Sequence, residues 1–244
     1  GPGAAGEMAA VARELAAGGG VLEPLQTVAS LAGQVEELKT VLEQNGNLPL
    51  TMVGYSWGAW LSYILSAEHQ TIVKKLILVA SGPYEEKYAA HIQETRLQRL
   101  STEERQEINV LAEKLENPLV EDKNPAFERL GTILSSVDAF NPFKHVFEEN
   151  DPIDYRMNIY REVWPQGSEL RRRRKLLELG KQIKCPVVAI HGDYDPHPAE
   201  GVAKPLSSIL TRFRFILLEK CGHKPWIEKE ACEAFFRILK EELH

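Results

Sequence analysis

The stretch GYSWG, Gly54 to Gly58, lies between an apolar run ending at Val53 and another beginning at Leu61. Its serine can attack a carbonyl only if a neighbouring base takes its proton. Of seven histidines, His223 in LLEKCGHKPW is best placed, on a Gly-containing loop directly after an apolar run. His69, His91 and His145 stand in helical or polar contexts that suit exposed side chains, and His244 is terminal. A third group is HGDYDPHP, after the apolar run CPVVAI. One of its carboxylates, Asp193 or Asp195, has the chemistry to fix an imidazole tautomer and stabilise its positive charge. His191, Asp193, Asp195 and His197 are also metal-ligand types. The chain order Ser, Asp, His favours nucleophilic catalysis, which needs no metal and no organic cofactor.

These groups react only if the fold gathers them. Gly3 to Ala17 reads as a helix and VLEPLQT as a short strand. Ser30 suits the cap of a helix over LAGQVEELKTVLEQ, stopped by Asn45-Gly46. LPLTMVG reads as a buried strand, WGAWLSYILSAEHQ as a helix and VKKLILVASGP as another strand. From Tyr84 to Lys181 the pattern is helical, with RLQRLSTEERQEINVLAEKLE a long amphipathic stretch. Asn117-Pro118, Asn141-Pro142 and Asp151-Pro152 punctuate it. Alternation resumes with CPVVAIHGD (strand), AEGVAKPLSSIL (helix), FRFILLEKCG (strand) and IEKEACEAFFRILKEEL (helix). The expectation is an α/β fold: a mainly parallel sheet with helices on both faces, formed by 1–83 and 182–244, with a helical insertion over 84–181. In such a sheet the three groups share the C-terminal edge of the strands. Ser56 then sits in a sharp turn whose two glycines permit close strand–helix approach. The Trp57 N–H and the helix dipole face any negative charge that develops there.

Bulk properties exclude other classes. The 244 residues carry a net charge of -6, which offers nothing to nucleic acid. The basic run Arg171 to Arg174 lies where leucines recur at helical spacing and reads as a solvated helix face. Cys185, Cys221 and Cys232 have neither disulfide-framework nor metal-site spacing, which suits a reducing compartment. No apolar run nears the roughly 20 residues that span a bilayer. The chain reads as a soluble, cytoplasmic protein with no membrane partner.

In motif order and topology the sequence resembles the α/β-hydrolase fold family, and within it cap-bearing members related to proline iminopeptidase. GYSWG matches the nucleophile elbow, HGDYDP the acid loop and CGHKPW the histidine loop. The resemblance implies Ser56 as nucleophile, His223 as base, Asp195 as the acid and Asp193 as a loop-shaping neighbour, with 84–181 as a cap. Gly1-Pro2-Gly3 is similar to the tail of a His-Gly-Gly-Pro-Gly oxyanion loop, which pairs a Gly1-region amide with Trp57 N–H. On that comparison a strand belongs between VLEPLQT and LPLTMVG; an upstream segment or another chain contributes it, or the remaining strands close the gap directly. The implied substrate is a small carboxylic ester or amide, with short N-terminal prolyl peptides as the alternative. Cap acids Glu85, Glu86, Glu162 and Glu169 would hold a free amino terminus, although such charges also suit a solvent-facing helix. Tyr55, Tyr84, Tyr88 and Trp164 are the aromatic candidates for the pocket. A non-catalytic ligand-binding module is the reading from another class.

Overall fold

The computed structural model describes residues 1–144 and 153–243; His145, the Asp151-Pro152 loop and His244 lie outside the described residues. In chain order the elements begin with β1 (Ala4–Ala5), α1 (Ala9–Ala16), α2 (Leu31–Asn45), β2 (Leu50–Tyr55), α3 (Trp57–Glu68) and β3 (Val73–Val79). The middle holds α4 (Glu86–Arg99), α5 (Thr102–Glu116), α6 (Asn124–Val137), β4 (Asp154–Tyr155), α7 (Met157–Arg172) and α8 (Lys175–Glu178). The chain closes with β5 (Val187–Gly192), α9 (Glu200–Ile209), β6 (Phe213–Leu218) and α10 (Cys232–Leu243).

The apolar strands form one parallel sheet in the order β2-β3-β5-β6. Side chains alternate across it, so each strand feeds two cores. Leu76, Leu78, Val187 and Ala189 pack with α2, α3 and α9 on one face, while Ile77, Val79, Val188 and Ile190 pack with α1 and α10 on the other. Helix α3 is enclosed on all sides, with ten of its twelve residues buried. Such a helix must satisfy its own hydroxyls. Ser62 donates to the Gly58 carbonyl at 2.7 Å and Ser66 to that of Ser62 at 2.7 Å. A smaller core joins α5 and α6 through Leu111, Leu115, Ile133 and Val137.

Several expectations change. VLEPLQT forms no strand: Val21, Leu22 and Leu25 stay exposed, Pro24 interrupts the run, and Glu37 receives the Thr27 amide at 2.9 Å. An apolar stretch becomes a strand only when its backbone pairs with a neighbour, and among the described residues this one pairs with none, while β2 pairs with β3 alone. The first helix covers only Ala9–Ala16, because Gly3 and Gly6 take φ of 78° and 93°. That turn frees Ala4–Ala5 to pair antiparallel with β4. The long pattern after Tyr84 divides at Leu100. Ser101 accepts from the Glu104 amide and Glu104 from the Ser101 amide, a reciprocal cap that starts α5 anew. Helix α7 ends at Arg172, and Arg174 at φ 60° turns the chain into α8. Arg171 faces inward, contrary to the solvated-face expectation: it is buried, donates to Glu86 at 2.8 Å and lies 5.4 Å from the Trp60 ring.

Candidate active site

Ser56 follows β2 and caps α3 with φ 50° and ψ -113°, outside the regions comfortable for a residue with a side chain. Its amide donates to the Val79 carbonyl at 3.0 Å, holding the strained residue against β3. The flanking glycines have different duties. A Cβ on Gly54 would lie 2.2 Å from Ser62 Oγ and 2.4 Å from the Gly58 carbonyl oxygen, so β2 and α3 meet only because it is glycine. A Cβ on Gly58 would meet nothing within 4 Å, which corrects the expectation that both glycines serve close packing. Trp57 is pinned by its indole, which donates to Gln34 at 2.9 Å, and by Gly167, where a Cβ would come within 2.6 Å of the ring.

His223 leaves β6 on the following loop. Ser56 donates to His223 Nε2 at 3.1 Å, and His223 Nδ1–H donates to Asp195 Oδ2 at 2.7 Å. Asp195 is buried at the end of β5. Burial pushes its carboxyl upward, but the surrounding His223, His197 and His191 prevail and hold it well below the usual carboxylate range. Asp193 instead accepts the Cys221 amide at 3.1 Å, tying the acid loop to the histidine loop. The metal-ligand set His191, Asp193, Asp195 and His197 is therefore not gathered; among the described residues the close group is Asp195, His197 and His223.

The histidine loop is anchored to the turn that follows α6. His223 N–H donates to the Asp138 carbonyl at 2.9 Å, and Glu228, fully buried, accepts the amides of Phe140 and Asn141 at 2.7 Å and of Gly222 at 2.9 Å. Arg96 binds the Asp138 carboxylate in two-pronged fashion, its Nε at 2.8 Å. Arg99 donates to the Tyr194 carbonyl at 2.8 Å and covers that ring at 3.6 Å. Lys224 pairs with Glu7 at 3.0 Å. Glu228, Asp138 and Arg99 escape sequence reasoning because their roles depend on segments distant in the chain. The only local signal is a glutamate immediately after the apolar Pro-Trp-Ile.

The other predicted residues scatter. Tyr55 is buried under His223, ring centroids 5.1 Å apart, and its edge meets Trp226. Tyr84 is fully buried against Tyr63, in the core instead of on a pocket wall. Tyr88 packs beside Gly201. Trp164 stacks between Trp60 and Tyr160 at 5.9 and 6.0 Å. Gly1, Tyr55, Ser56 and Trp57 line one groove of about 970 Å³ that follows β2. Of the acids, Glu85 pairs with Arg174, Glu86 with Arg171 and Glu169 with Arg172, while Glu162 is exposed.

The profile of the α/β-hydrolase fold matches residues 23–230, and the chain belongs to that family. Among solved structures it is similar to a monoacylglycerol lipase from Paleococcus ferrophilus, with 16% identity, 100% of this chain and 91% of that one covered, and a TM-score of 0.60. An α/β fold family hydrolase from Bacillus anthracis str. Sterne gives 15% identity, 88% and 74% coverage and a TM-score of 0.63. A bromoperoxidase from Bacillus anthracis gives 13%, 88% and 74%, and 0.54. No curated protein sequence matches the chain. Those neighbours carry different activities, so the shared fold leaves the reaction to the site. Among the described residues no helix is long and apolar enough to cross a membrane.

Proposed function

We propose that the chain is a serine hydrolase that cleaves a small carboxylic ester or amide through an acyl-enzyme. The carrying observation is the unbroken relay from Ser56 Oγ through His223 to Asp195, at 3.1 and 2.7 Å. Ser56 attacks the carbonyl carbon as His223 Nε2 takes its proton, and Asp195 stabilises the imidazolium. Trp57 N–H, at the start of α3, with a Gly1-region amide receives the oxyanion. His223 then returns the proton to the leaving group, and water, activated by the same imidazole, releases the acid. Residues 84–181 serve as the cap over this site, and three free thiols fit a cytoplasmic protein.

Among the described residues one edge of β2 is unpaired, and that edge with the groove beside it supports a strand added there by an upstream segment or another chain. An iminopeptidase-like reading is weaker, since Glu85, Glu86 and Glu169 are already paired with arginines. Turnover of a nitrophenyl ester against a prolyl arylamide separates these substrate classes. The test of the chemistry is a fluorophosphonate probe: wild type is labelled, and Ser56→Ala loses both labelling and ester turnover. Undiminished turnover in that variant overturns the assignment. Folded wild-type protein that resists the probe favours the non-catalytic binding module.

A further inference from the structure

Asp195 holds more partners than a relay to one imidazole requires. Its Oδ2 accepts from His223, while its Oδ1 accepts both the backbone N–H and the Nδ1–H of His197, at 2.9 and 2.8 Å. An ionised carboxylate only accepts, so both facing imidazole nitrogens carry hydrogen. For His223 this leaves Nε2 free as an acceptor toward Ser56. The His197 ring stacks on that of His223 with centroids 4.5 Å apart and planes 27° from parallel. Behind it, fully buried His191 donates Nε2–H to the His197 carbonyl at 2.7 Å, fixing the backbone that carries the second imidazole.

We propose that His197 is a positioning residue, which locks the Asp195 carboxylate by its Oδ1 so that Oδ2 stays aimed at His223. The kinetic consequence rests on the serine-hydrolase reading; the hydrogen-bond role does not. Two imidazolium rings in this stack would repel, so one must remain neutral. Burial pushes His197 down to about 4 and also lowers His191. Only His223 touches a hydroxyl, so the proton released by Ser56 goes there, while the His197 N–H bond keeps the carboxylate turned toward it. The other charged or titratable groups facing this cluster include Arg96 from α4, Asp138 after α6, Tyr55 from β2, Asp193 on the acid loop, Cys221 and Lys224 on the histidine loop and Glu7 before α1.

The test titrates the His223 ring nitrogens by ¹⁵N NMR in wild type, His197→Phe and His197→Asn. Phenylalanine keeps a flat ring and removes the N–H; asparagine places an amide N–H where Nδ1 sat. Loss of the ring N–H frees Oδ1 and turns Oδ2 away from His223, so the imidazolium loses stabilisation and the midpoint falls by about one pH unit in His197→Phe, while His197→Asn returns most of the way. In ester turnover the acid limb of kcat/KM moves the same way, and kcat falls more than KM rises. An unchanged or raised midpoint in His197→Phe, or an equal fall in His197→Asn, overturns the proposal; His197→Leu substitutes if the phenylalanine variant folds poorly. A merely space-filling His197 would lower Tm without moving either titration. If the NMR midpoint shifts but turnover does not depend on Ser56, the hydrolase reading fails and the positioning role stands.

Discussion

Glu228→Gln should loosen the histidine loop while leaving its shape nearly unchanged. The carboxylate takes three backbone N–H groups from two segments, and no water reaches it. Glutamine can keep its oxygen at the position shared by Phe140 and Gly222, but its NH₂ then confronts the Asn141 N–H. Two charge-assisted bonds become neutral ones, and one buried donor loses its acceptor at a cost of about 1 to 3 kcal/mol. Relief of carboxylate desolvation offsets part of this, leaving a net loss of about 3 kcal/mol, within the roughly 5 to 15 kcal/mol of a stable domain. With a urea slope of about 3 kcal/mol per molar, the unfolding midpoint should fall by about 1 M at unchanged slope. Because Gly222 precedes His223, fluorophosphonate labelling of the folded variant should slow by roughly tenfold, about 1.4 kcal/mol of lost alignment. A midpoint within about 0.3 M of wild type would refute the claim that this carboxylate holds the loop.

Gly54→Ala should cost about 3 kcal/mol or more and end probe labelling, since its Cβ overlaps Ser62 and the Gly58 carbonyl; Gly58→Ala should fold normally and gain up to about 1 kcal/mol in thermal or urea unfolding. Acid should weaken the fold through His197. Its folded value of about 4 lies below the unfolded 6.5, so the unfolded chain binds the proton first, and stability present above 6.5 is lost as pH falls toward 4. Urea unfolding at pH 7 and pH 4.5 should differ by about 2 kcal/mol more in wild type than in His197→Asn. Asp195, held well below 3.8, adds its loss only under more acid conditions.

Local chemistry made the sheet readable. β2, β3, β5 and β6 are apolar runs bounded by glycine or proline, and Ser30 does cap α2 by accepting the Gly33 amide at 3.1 Å. Ser56, Asp195 and His223 could be selected because each follows such a run, and parallel strands deliver their ends to one edge. VLEPLQT misled because strand propensity says nothing about whether a segment docks on an edge. Arg171 misled because helical spacing gives a face but not which face meets Trp60. The supports of His223 were illegible for a similar reason: Asp138 and Glu228 are 90 positions apart and acquire meaning only when α6 ends beside the histidine loop.

That last junction divides the helical segment into parts with different freedom to diverge. The stretch from Ser101 to Leu134 touches neither Asp195 nor His223 through any hydrogen bond described above, so exchanging it for another helical hairpin would leave the base in place. Val137 to Pro142 is different. Those residues are part of the histidine's socket, so a graft that crosses them would change the geometry of the proton acceptor itself.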